Sequence, residues 1–213
     1  MNNILNALLV IILMLNLFTL GTSRIQSVIR TVALQGIILG LLPLVVHEHI
    51  KISVLIASLV AIIIKGFVIP SMMSQALREA QIKREVEPLI GILPSMILGA
   101  LATVFALLFA SRMPLADEHV SRLIVPSSIA TILIGFIILT TRFKALSQVI
   151  GYLILENGIF IFGVLLMSAM PMVVEMGVLL DLFVGIFVSC IIISKINQSF
   201  SSMDTRILSS LKE

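Results

Sequence analysis

Apolar runs of about twenty residues recur along the whole chain, and they constrain its fold more than any motif does. A run of ~20 apolar residues matches the ~30 Å hydrocarbon layer of a bilayer. Inside that layer every backbone polar group must be satisfied within its own segment, so each run is read as a helix. A membrane β-barrel would instead show ~10-residue stretches of alternating hydrophobicity. Seven runs are predicted, at about 3–21, 27–46, 50–74, 89–110, 122–141, 148–170 and 174–197. Composition agrees: 59% of residues are hydrophobic, 12% are charged, and the mean hydropathy is +1.21. A water-soluble domain carries roughly a quarter charged residues. The expectation is an all-α, multi-pass membrane protein. The opening Met1-Asn2-Asn3-Ile4 has neither a basic n-region nor a small-residue cleavage site, so the first run is expected to be a retained helix rather than a signal peptide.

The net charge of +3 and pI near 9.4 would suit nucleic acid, but the placement of the bases does not. In a seven-helix topology Arg24, Arg30, Arg78, Lys83, Arg84, Arg142, Lys144, Lys195, Arg206 and Lys212 fall on one side. Only Lys51, Arg112 and Arg122 fall on the other. The positive-inside rule then puts the N-terminus outside and the C-terminal tail in the cytoplasm. The basic excess faces anionic lipid and forms no nucleic-acid groove. The longest connection, 75–88, is the one strongly charged stretch and reads as a cytoplasmic extension of the third helix, either a partner-docking surface or a solvated linker.

Gly36 and Gly40 form a GxxxG pattern in the second run, and Ala102, Ala106 and Ala110 share a face of the fourth. Small residues of this kind let membrane helices approach closely. With no Trp and one Tyr, the aromatic belt is thin. Cys190 lies within an apolar run, which leaves no disulfide and no thiolate metal site. His47, Glu48 and His49 could suggest metal ligands, but at the end of the second helix they read as a solvated turn.

Charges deep inside the runs carry the functional argument. Glu156 stands about eight residues into the sixth run, ~12 Å from its start at 1.5 Å per residue. Asp181 reaches similar depth in the seventh, and Lys65 lies near the middle of the third. Each costs ~2.5–3.5 kcal/mol where it faces lipid, so they are expected to face one another, a polar path or a partner. Groups so placed can be tuned to exchange protons near neutral pH. Pro70 cannot donate to the carbonyl of Gly66, leaving an acceptor beside Lys65. Asn157 and Tyr152 add polar contacts to the sixth helix. The competing reading is a static interhelical ion pair that only fixes packing.

The first three runs and the last three read as distant copies. Residues 27–36 can be laid over 148–157, so that Gln35 stands in register with Glu156. A parallel three-helix repeat would follow, with an amide replacing the carboxyl in its first copy.

Residues 125–197 resemble the NuoK subunit of respiratory complex I and its relative in Mrp-type antiporters. The resemblance rests on the Thr141-Arg142 helix end, the Gln148-Val149-Ile150-Gly151 opening, the Glu156-Asn157-Gly158 step and the buried acid Asp181. It implies that Glu156 and Asp181 each give a carboxylate to a proton path, although the second position usually holds Glu. The whole chain resembles the hydrogenase-4 component E family, through the Lys65-Gly66…Pro70 stretch and the basic segment after it. Three parts are then expected: a three-helix membrane segment with its charged loop at 1–88, a linking fourth helix at 89–121, and a NuoK-like triplet with a cytoplasmic tail at 122–213. The resemblance implies a subunit in the cytoplasmic (inner) membrane of a bacterium or archaeon. Its partners would be antiporter-like and other membrane subunits together with a group 4 nickel–iron hydrogenase or formate hydrogenlyase module. No cofactor is expected in this chain; the nickel–iron centre and iron–sulfur clusters would sit in partner subunits, since one cysteine cannot ligate a cluster.

The expected role is proton or sodium translocation coupled to redox chemistry elsewhere. Glu156 is the principal relay carboxyl, Asp181 its neighbour, Lys65 a charge partner or relay, and Gln35 and Asn157 are polar bridges. The competing roles are a scaffold subunit of the same assembly and a stand-alone proton-coupled carrier. A retinal-binding seven-helix protein is disfavoured, because the lysine is not on the last helix and no Trp is available to wall a chromophore.

Overall fold

The computed structural model describes residues 2–46, 52–79, 89–113, 123–142 and 144–166. Regular structure among them is helical, apart from isolated β-bridge positions at Arg24 and Arg142. The helices are α1 (Asn2–Gly21), α2 (Ile25–Val46), α3 (Ile52–Ala61), α4 (Ile69–Glu79), α5 (Ile92–Ser111), α6 (Ile124–Thr141) and α7 (Ala145–Leu166). A π-helical segment, Ile62–Val68, joins α3 to α4 in one rod. Six spans among the described residues are therefore long and apolar enough to cross a bilayer: α1, α2, the α3–π–α4 rod, α5, α6 and α7. The seventh expected run, 174–197, lies outside the described residues. So do Asp181, Cys190, the 47–49 turn and most of the charged connection, of which α4 contains the part up to Glu79.

α2 is the hub. It touches α1, α3, the π segment, α4 and α7. Its most apolar stretch is 61% buried, whereas that of α5 is 17% buried. α5 packs on α1 and α6 through Ser95, Gly99, Ala106 and Ala110. Its other faces expose Leu93, Leu101 and Leu108, as a helix surrounded by lipid tails can.

Small residues set the closest approaches. A Cβ at Gly36 would lie 2.7 Å from the Lys65 carbonyl carbon, and one at Gly40 would strike the Ile62 side chain. The GxxxG pattern thus brings α2 against the backbone of the π segment. Gly135 and Gly158 do the same between α6 and α7, where an added Cβ would meet backbone nitrogens of Leu155 at 2.5 Å and Ile132 at 2.7 Å. Where lipid is as apolar as the side chains, this close packing takes the place of hydrophobic collapse.

The π segment answers a spacing problem. Ala61, Lys65, Ile69 and Met73 recur every four residues, and all are buried. In an α-helix a four-residue repeat drifts about 40° per step, since the helix turns ~100° per residue. A wider π turn takes up the drift and keeps the four on one face. Ile69 accordingly donates its N–H to the Ile64 carbonyl, five residues back. Pro70 follows at the change of register: its missing amide would face the Lys65 carbonyl in a five-residue count and the Gly66 carbonyl in the four-residue count of α4.

One end of the bundle is pinned by polar contacts. Arg142, 2% exposed, donates from Nη2 to the Leu20 carbonyl at 3.3 Å, so a guanidinium meets the C-terminal carbonyls of α1. Burial pulls this guanidinium below the usual arginine value, while arginine remains charged at any physiological pH. The Leu89 N–H donates to the Thr141 carbonyl at 2.9 Å, and Gly91 then turns into α5 with φ 80°, which favours a residue without Cβ.

Replacing Gly36 with Ala is expected to lower stability by about 1–3 kcal/mol, since backbone must shift to admit the methyl. Gly163→Ala meets open space and should leave stability unchanged or slightly raised. Thermal unfolding of both variants in detergent measures the difference.

Candidate functional site

Two apolar clusters fill the bundle, with a polar layer between them. One contains Leu20, Ile25, Ile29, Met73, Ile134 and Ile150; the other contains Leu5, Leu9, Ile12, Leu39, Leu42 and Ile161. Between them in sequence, on every helix that contributes, stand Asn16 of α1, Gln35 of α2, Thr131 of α6 and Asn157 of α7. Lys65, at the centre of the π segment, and Glu156 of α7 complete the layer. All six are buried.

Their contacts form one continuous chain. Lys65 Nζ donates to Asn157 Oδ1 at 3.3 Å. Asn157 Nδ2 donates to Gln35 Oε1 at 3.5 Å, at the long limit of a hydrogen bond. Gln35 Nε2 donates to Asn16 Oδ1 at 2.8 Å, and Asn16 Nδ2 to Thr131 Oγ1 at 2.8 Å. Thr131 Oγ1 then donates to the Ser127 carbonyl at 2.6 Å. Lys65 Nζ also lies 3.6 Å from Glu156 Oε1 and 5.3 Å from the centre of the Phe160 ring. The ammonium therefore meets a carboxylate, an amide oxygen and an aromatic face, each of which favours its charge.

The two carboxylate oxygens of Glu156 are buried and accept no hydrogen bond from the described residues. Among those residues this is the least satisfied group of the layer. Buried polar atoms of this kind are seldom left without a donor, and exceptions mark strain, chemistry or an internal water. Ser128 of α6 does not serve the carboxylate; its hydroxyl donates to the Gly158 carbonyl at 2.8 Å.

Of the five residues expected from sequence, four come together here: Lys65, Glu156, Gln35 and Asn157. Asp181 lies outside the described residues. The charge pair drawn from sequence was Glu156 with Asp181; the pair seen among the described residues is Glu156 with Lys65. The repeat register matches Gln35 to Glu156, yet Gln35 bonds Asn157, the next residue. Asn16 and Thr131 were not expected. Asn16 had a signal, a carboxamide well inside an apolar run. Thr131 had none, because a helical threonine commonly bonds its own backbone four residues back, as this one also does. No group of three or more His, Cys, Asp or Glu able to hold a metal occurs among the described residues.

No family model matches the sequence. The chain is 29% identical over 191 residues to an uncharacterized protein of Mycobacterium tuberculosis, covering 89% of this chain and 87% of that protein. It is 28% identical over 165 residues to hydrogenase-4 component E of Escherichia coli, covering 75% of this chain and 74% of the relative. The component E of Shigella flexneri matches over the same length with the same identity. No solved structure matches.

Gln35 holds the middle of the polar chain, so Gln35→Leu strands both Asn16 Oδ1 and Asn157 Nδ2. Hydrogen bonds between membrane helices average about 0.6 kcal/mol. Two lost bonds plus their unpaired partners should cost about 1–3 kcal/mol. Reversible unfolding in mixed micelles, with Leu93→Ala on exposed α5 as the near-neutral comparison, reads this directly.

Proposed function

We propose that this chain is a membrane subunit of a hydrogenase-type complex and that Glu156, held against Lys65 within the bundle, takes part in moving protons or sodium ions across the membrane. The observation that carries the reading is the buried ion pair at 3.6 Å whose carboxylate accepts no hydrogen bond from the described residues. A charge pair kept only for packing gains from having its remaining lone pairs satisfied. A carboxylate that must bind and release a cation keeps them available. The similarity to hydrogenase-4 component E, spread over three quarters of both chains, supports the choice of complex.

The finer parts belong to the same proposal. Residues 1–88, 89–121 and 122–213 act as a three-helix segment, a linking helix and a NuoK-like triplet related to Mrp antiporter subunits. The N-terminus lies outside and the tail in the cytoplasm of a bacterial or archaeal cell. Asp181 supplies a second carboxylate. Antiporter-like subunits and a hydrogenase module adjoin this one, and redox metals sit in those partners.

A scaffold role is the second reading, favoured by the completeness of the amide chain, which ties α1, α2, the π segment, α6 and α7 together without Glu156. Glu156→Gln separates the two. Translocation predicts that the variant complex assembles at normal yield and loses most of its proton- or sodium-coupled activity in proteoliposomes. Full coupling by the Gln variant would falsify it. Reduced subunit recovery with normal coupling in the remainder would favour the scaffold.

A further inference from the structure

The polar chain has a direction, and both of its ends fix that direction. At one end the Lys65 ammonium can donate and cannot accept. It therefore turns the Asn157 oxygen toward itself, at 3.3 Å. The Asn157 amide nitrogen must then face Gln35 Oε1, and the Gln35 nitrogen faces Asn16 Oδ1 at 2.8 Å. The Asn16 nitrogen faces Thr131 Oγ1 at 2.8 Å. At the far end the Ser127 carbonyl can only accept, and the Thr131 hydroxyl gives it its proton. Every amide oxygen thus points toward the cation, and each bond polarises the next. Among the described residues, Lys65 and Glu156 are the charged groups in the interior of the layer, and the remaining buried charge, Arg142, sits at the end of α6.

Such a chain is a poor proton conduit. An amide passes a net proton only through its imidic acid form, and three of the linked side chains are amides. It is a good carrier of polarity. A neutral Lys65 amine has a lone pair and can accept from Asn157, so each amide can then turn over, and the Thr131 hydroxyl can donate to Asn16 instead of Ser127.

We propose that Lys65, Asn157, Gln35, Asn16 and Thr131 form a polarity relay whose direction is set by the charge on Lys65 and is read at the Thr131–Ser127 contact of α6. Asn16 and Thr131 are then positioning residues for Lys65, acting from helices that do not supply the ion pair. Glu156, with no hydrogen-bond donor on its oxygens among the described residues, is left as the exchanging partner. This last assignment rests on the ion-translocation reading; the relay itself does not, since it is a property of the side-chain network.

The test is made on the full chain in lipid nanodiscs, reading the side-chain amide signals of labelled Asn and Gln by NMR. In the wild-type chain Asn16 and Gln35 should each give one signal set. Lys65→Met removes both donor and acceptor, so only the Thr131–Ser127 contact still biases the direction, and the Asn16 signals should shift or double. Lys65→Arg keeps a donor-only end and should restore the wild-type pattern. Asn6, on α1 but outside the chain, should not move. Thr131→Val reads the relay from its other end and should displace the Asn157 signals; it also decides the matter if Lys65→Met does not fold. Asn16 signals unchanged in Lys65→Met, or unchanged Asn157 in Thr131→Val, would overturn the relay, as would Asn6 moving in step with Asn16. A relay found intact alongside a fully coupled Glu156→Gln complex would remove the translocation reading and keep this one.

Discussion

A charge at mid-bilayer depth has no water to fall back on, so the protein must supply every group that stabilises it. Much of the described structure follows from meeting that demand for Lys65. α2 must come close enough to place Gln35 in the layer, which requires Gly36 at the crossing. α6 and α7 must approach closely enough to carry Thr131 and Asn157 side by side, and their facing glycines permit it. The helix bearing Lys65 must hold the lysine on the same face as the apolar residues above and below it, and the π segment does this. Two apolar clusters then close the layer on both sides, strengthening every electrostatic contact inside it.

The spans were legible because bilayer thickness imposes a length and backbone hydrogen bonding imposes a helix, both visible as uninterrupted apolar runs. Glu156 and Lys65 were legible for the complementary reason: ionisable side chains in such runs are costly, and few occur. Partnership was legible only in part: Lys65 was expected as a charge partner or relay, but with no particular counterpart. Depth along a helix can be counted from sequence, but the rotation that points Lys65 at Glu156 depends on a local change of helical register that periodicity alone does not announce. Pro70 marked the region as unusual, but a count of four residues per hydrogen bond did not reveal that the segment just before it uses five. Thr131 gave no sign, since its local role in its own helix hides its interhelical one.

Distant similarity and local geometry bear on different parts of the reading. Identities of 28–29% extend over most of the chain, and the Escherichia coli and Shigella flexneri relatives are named as a hydrogenase-4 component. The side-chain layer gives what the names do not: a particular lysine held by an amide and a carboxylate, with unequal satisfaction of the two charges. A packing device would be expected to satisfy both. The imbalance at Glu156 is the physical reason for looking beyond scaffolding.

The widened turn at Ile62–Val68 has a consequence for how this helix tolerates change in length. A π segment holds a residue more than an α-helix would need for the same rise, so losing one residue there would let the backbone return to regular hydrogen bonding without a gap. Phase beyond the deletion would hardly change: the seven steps left from Ala61 to Ile69 would turn about 700°, close to two full turns, so Ile69 and Met73 would keep their face. Lys65, inside the widened turn, would swing about 40–60° away from the line of Ala61 and Ile69. A single deletion would therefore displace the lysine while leaving both halves of the rod in place.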